Sequence, residues 1–229
     1  MHWNRWILLT VLLGTSAARG QESFKVEVLK EAPPAAIADV IKGTLNTQGY
    51  RLLDDQGRAY ADFWLRKSVP ASAKPSGAKG AIQFPILQEG ELMGALRFSG
   101  EGRDYRDQAI AEGVYTFRYG LQPVNGDHLG VSTYRDYILL LPVAKDKVLD
   151  LPPQKKLHEG SSESAGSSHP AVLMLLTAPD SASKTEPSVI HDEAKETWSA
   201  VVPINLGVKG SSDPASLHVQ IMIIGAAMN

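Results

Sequence analysis

The chain has 229 residues, no cysteine, a formal net charge of -2 and 43% hydrophobic residues. The lack of cysteine excludes disulfides, thiolate metal sites and cysteine nucleophiles together. Lys and Arg are scattered among acidic residues. A nucleic-acid partner is therefore not expected, because displacing counterions from phosphate needs a basic stripe.

Asn4 and Arg5 lead into the apolar run Trp6 to Leu13, followed by small residues through Gly20. A positive n-region, a short apolar h-region and Ala18 and Gly20 before a cut ahead of Gln21 form an export signal. The run is well short of the roughly 20 apolar residues that span a bilayer. The expectation is a signal peptide over 1–20 and a periplasmic or extracellular bacterial protein over 21–229, with no transmembrane segment after cleavage. Cleavage removes Arg5 and Arg19 and leaves 21 Lys+Arg against 25 Asp+Glu.

In the mature chain, Phe24, Val26 and Val28 alternate with Lys25, Glu27 and Leu29, as in a half-buried strand. Ala36, Ile37, Val40, Ile41 and Leu45 follow Pro33-Pro34 at helical spacing, which predicts one amphipathic helix over 35–46. Residues 50–53 and 60–66 read as a hairpin turned at Gly57, completing a strand-helix-hairpin unit over 21–66.

Residues 67–80 hold two prolines and three serines and read as a flexible loop. The main body, 81–229, has strand candidates at 91–98, 113–121, 136–143, 171–176, 198–204 and 217–224. In the second of these, Tyr115, Phe117 and Tyr119 alternate with Thr116, Arg118 and Gly120, which predicts a core face and a polar outer face. Residues 151–170, with five serines and two glycines, and the shorter polar stretch 178–192 read as mobile connections. Many short strands with turn signals predict a mainly β domain. The expected architecture is an antiparallel β-sandwich, Ig-like or jelly-roll-like, with one short N-terminal helix.

The tripeptide Tyr105-Arg106-Asp107 returns as Tyr134-Arg135-Asp136. Tyr beside Arg suits a carboxylate, a sulfate or a sugar face, with Arg as bidentate donor and Tyr as stacking surface. The same residues also suit a structural role, with Asp and Tyr fixing the loop that enters a strand. These six are the candidate binding residues. The histidines His128, His158, His169, His191 and His218 show no H-E-x-x-H spacing, so no metal or other cofactor is expected, and Asp127-His128 is only a weak metal candidate. No G-x-S-x-G elbow or phosphate-cradling loop occurs.

The stretch 92–142 carries Gly94-Ala95-Leu96-Arg97-Phe98, then Ile110 to Tyr119, then Arg135-Asp136-Tyr137 before Leu139-Leu140-Leu141-Pro142. It resembles exported bacterial β-sandwich domains of unknown function, in which a Gly-x-Tyr step enters a core strand. The resemblance implies architecture and no catalytic residues.

Three functions follow as expectations. The first is a non-catalytic module binding a small ligand or an envelope protein through loops 99–112 and 122–136. The second is a hydrolase or metal-assisted enzyme assembled from Asp104, Asp107, Asp127, His128 and His169. The third is a structural envelope component.

Overall fold

The computed structural model describes residues 23–124, 132–182 and 186–225. The expected export signal over 1–20 and Asp127-His128 lie outside them. The chain is mainly β, as its periodicity predicts. In order it forms β1 (Lys25–Leu29), α1 (Asp39–Lys42), β2 (Gly49–Leu53), β3 (Ala59–Leu65), β4 (Val69–Ala71), β5 (Leu92–Phe98), β6 (Gly102–Arg103) and β7 (Ala109–Ile110). It continues through β8 (Gly113–Leu121), β9 (Asp136–Pro142), α2 (Gln154–Ala165), β10 (Val172–Thr177), β11 (Ser188–Asp192), β12 (Thr197–Val208) and β13 (Ala215–Ile224).

Ten strands join in the order β1-β2-β3-β5-β8-β9-β10-β13-β12-β11, with β4 added parallel to β12 and β6-β7 as a separate small hairpin. Where a two-layered sandwich was expected, the strands form one continuous sheet curled into a half-barrel. Register shifts in the β2/β3, β5/β8 and β12/β13 pairs bend it, as an extra residue on one strand does. At the turn of the curl, β10 pairs with β9 through Val172, Leu173 and Met174 and with β13 through Leu175, Leu176 and Thr177. One strand thus belongs to both arms of the sheet. The ring of Phe24 packs edge-on against Tyr60 and Trp198, at 5.5 and 5.4 Å, and so links the beginning of the first arm to the second.

The inner face carries the main core, including Phe63, Leu96, Phe117, Ile138, Leu173, Ile204 and Ile221. The outer face is also covered, in two patches. Ile37, Ile41 and Leu45 close over Trp64, Leu92 and Ala95, and Leu157 of α2 closes over Tyr137, Leu139, Leu141 and Met174. Alternate residues of β9 and β10 therefore face apolar surroundings on both sides, which explains why both strands read as continuous apolar runs.

Five expectations need correction. The predicted helix over 35–46 shrinks to Asp39–Lys42, with no side-chain cap at Ala38. Ile37, Ile41 and Leu45 still bury at helical spacing, but Leu45 already bridges to Arg66 of the adjoining hairpin. The polar face of β8 is not exposed. Thr116 and Arg118 are fully buried, and Arg118 donates to Asp146 (Nε to Oδ2, 2.7 Å) and to the carbonyls of Gly90 and Val148. The other three corrections fall in the stretches read as flexible or mobile. Residues 67–80 contain β4, with Val69 and Ala71 buried, residues 178–192 contain β11, and 151–170 contain α2.

Helix α2 ends in a Schellman motif. Gly166 sits at φ 57° and donates to the Glu163 carbonyl, while Ser167 donates to that of Ser162. Its serines are contacts rather than signs of disorder. Ser161 Oγ donates to the Ala171 carbonyl and Ser164 Oγ to that of Leu140, both at 2.9 Å. Gly160 lets the helix approach closely, since a Cβ there would lie 3.3 Å from Leu141 Cδ2.

Candidate functional site

A cavity of about 430 Å³ lies on the outer face of the sheet beside α2. Its floor is Tyr137 of β9 with Val172 and Met174 of β10. One wall is a stripe of α2, Lys155, His158, Glu159 and Ser162, set at the i, i+3, i+4 spacing that shares a helix face. Leu157, Ser161 and Ser164 occupy the stripe that faces the sheet. Tyr105 and Arg106 form another wall, Ser168, His169 and Pro170 a third, and Gln122, Pro123 and Ser132 complete the rim.

The 104–108 loop closing the β6-β7 hairpin is held from within. Asp104 is 1% exposed, and its Oδ1 accepts the backbone N–H groups of Arg106 and Gln108 at 2.8 and 2.9 Å. Its Oδ2 accepts Gln108 Nε2 at 2.8 Å and the Val172 N–H at 3.2 Å. Tyr105 N–H donates to the Val172 carbonyl at 2.8 Å. The wall carrying Arg106 is thus fastened to the strand that supplies the floor.

The two repeated triplets have separate places. Tyr105 and Arg106 line the cavity, whereas Asp107, in the left-handed region at φ 61°, pairs with Arg103 at 3.0 Å. The second triplet is not part of the cavity lining. Asp136 is fully buried and accepts from Gln83 N, Phe84 N and Tyr119 Oη at 2.7, 3.0 and 2.6 Å. Arg135 donates its backbone N–H to the Ala81 carbonyl and Nε to that of Gln122, and Tyr134 N–H donates to Ser132 Oγ. This triplet ties the 81–84 segment to the sheet.

Of the residues named for an enzyme, His169 lines the cavity, Asp104 is committed to four donors and Asp107 to Arg103. Among the described residues, no three His, Asp or Glu side chains are grouped to hold a metal ion.

Sequence reasoning missed the α2 wall and the Tyr137-Val172-Met174 floor. The available signal was the 157-161-164 spacing, which sets one stripe of α2 against the sheet and turns the neighbouring stripe to the cavity. Tyr137 Oη donates to the Leu121 carbonyl at 3.1 Å, and burial pushes its phenol pKa well above the ordinary value. The phenol therefore stays neutral and presents its ring to the cavity. Comparison with protein-family models, characterised proteins and solved structures finds no match, so the functional reading of this chain rests on its own residues and geometry.

Proposed function

We propose that this is an exported, non-catalytic binding protein, periplasmic or extracellular, whose small ligand occupies the cavity between α2 and the outer face of the sheet. The observation that carries the reading is the cavity's construction. Its volume falls within the ~300–1,000 Å³ span of small-molecule sites, with an apolar floor and polar and charged side chains around it. Its walls are fixed by buried bonds from Asp104, Ser161 and Ser164 rather than left to loop motion. Export is supported by the 4–20 sequence pattern. We also propose a sandwich-like character for the curled sheet. It is supported by the two arms that β10 joins and by the Phe24 ring between Tyr60 and Trp198.

The test is thermal unfolding of the purified protein against a mixed panel of small acids, amides, sugars, peptides and metal salts. A ligand at about a hundredfold over its Kd adds roughly 2.7 kcal/mol and raises Tm by a few degrees. Met174→Trp, which fills the floor, and Ser162→Phe, which fills from the helix side, should each abolish the shift. A panel without any shift, or a shift that survives both substitutions, would overturn the reading. A metal-dependent shift reversed by chelator would favour the enzyme alternative.

A further inference from the structure

The cavity also indicates the chemical class of its ligand, an inference that rests on the binding reading above. We infer that it takes a small amphipathic organic anion. The carboxylate pairs with Arg106, and the aromatic or aliphatic body lies on Tyr137, Val172 and Met174.

Arg106 carries the charge that selects the ligand. Both carboxylates nearest to it in sequence are engaged elsewhere, Asp104 with four donors and Asp107 with Arg103. The Arg106 guanidinium makes no hydrogen bond or ion pair with any described residue, while its backbone is fixed through Asp104. A guanidinium on a fixed loop without an internal counterion is prepared for bidentate pairing with an oxyanion from outside. Glu159, the one Asp or Glu among the described lining residues, faces its own partner, Lys155, at 3.8 Å along the helix. Arg106 therefore gives the described lining a net positive charge.

The floor sets the other half of the ligand. Val172 and Met174 bring only hydrocarbon and a thioether, and the Tyr137 hydroxyl is turned to the Leu121 carbonyl. A sugar would bury hydroxyls on that floor without partners, and an inorganic anion would leave it uncovered. An apolar body covers it, and Met and Tyr suit an aromatic ring in particular. The volume, toward the lower end for such sites, fits a single-ring or short-chain acid.

Isothermal titration at low salt would use phenylacetate and hexanoate, their primary amides, and acetate. Each acid should bind at least roughly tenfold more tightly than its amide, since a charge-assisted bond replaces a neutral one. Acetate should not bind at the same concentrations. Arg106→Gln should remove the preference for acid, so that each acid binds no more tightly than its amide. The inference is overturned if neither acid binds at millimolar concentration, if acid and amide bind equally, or if the preference survives Arg106→Gln. Equal binding that Met174→Trp abolishes would discard the anion and keep the cavity, whereas a wholly silent panel would discard both.

Discussion

The buried Arg118-Asp146 pair is where single residues matter most. Arg118 is fully buried, with bonds to both Asp146 oxygens, and Thr116 Oγ1 donates to the same carboxylate at 2.6 Å. Removing one charge strands the other, so Asp146→Ala should cost about 3–5 kcal/mol in urea unfolding, and Arg118→Met with Asp146→Leu together less than the two single losses combined. Ionisation of other residues bounds stability in pH. A hydrogen bond from Arg97 holds the Glu31 carboxyl below its ordinary 4.5, so its contribution is present above that value and is lost as acid protonates it. Burial, with hydrogen bonding to Asp136, holds the Tyr119 phenol far above its ordinary 10.0, and burial raises Tyr137 likewise. The unfolded chain releases those protons first as pH rises. Stability should therefore fall progressively above about pH 10, and Tyr137→Phe should flatten the fall in denaturant midpoints measured from pH 8 to 11. Tyr105 and Arg106 were legible as a pair in the sequence. Their unlike fate from Tyr134 and Arg135 was not, because an Asp carboxylate that pairs with a nearby arginine and one that anchors a distant segment look identical in a tripeptide.

Helix α2 shows what composition conceals at the scale of an element. Counting serines over 151–170 predicts disorder, yet Pro153 before the first turn, Gly166 after the last and Leu157-Ser161-Ser164 on one stripe are helix signals read by position. The strands β5, β8, β9 and β13 were legible because their apolar runs were bounded by turn residues. Strand β11 was not, since all its residues are half-exposed and its sequence is mixed. Two substitutions test the helix. Gly166→Ala forces a Cβ into the left-handed region and should cost about 1 kcal/mol in a thermal melt. Ser161→Ala with Ser164→Ala removes two buried bonds, about 1 kcal/mol each, and should speed amide exchange across 154–165 ahead of the sheet.

The whole molecule is one curled sheet, and that predicts how it comes apart. Trp64 lies buried in the first arm, its Nε1 donating to the Glu31 carbonyl, and Trp198 is stacked on His191 in the second at 4.0 Å. In a protein expressed from Gln21 onward, these two are the only tryptophans. Fluorescence of Trp64→Phe and Trp198→Phe variants then reports each arm separately. Each variant's fluorescence and far-ultraviolet dichroism transitions should coincide in denaturant, as in one cooperative unit, whereas separated transitions would show independently folding arms.

The sharing of β10 also governs the phase of the fold. Its first three residues set the alternation against β9 and its last three against β13. A single residue inserted between Met174 and Leu175 would reverse inward and outward from there on, sending Leu175 and the strands aligned with it to the wrong face. Six residues thus hold two arms to one parity, and the strand that gives Val172 and Met174 to the cavity floor cannot change length at its centre without inverting one arm.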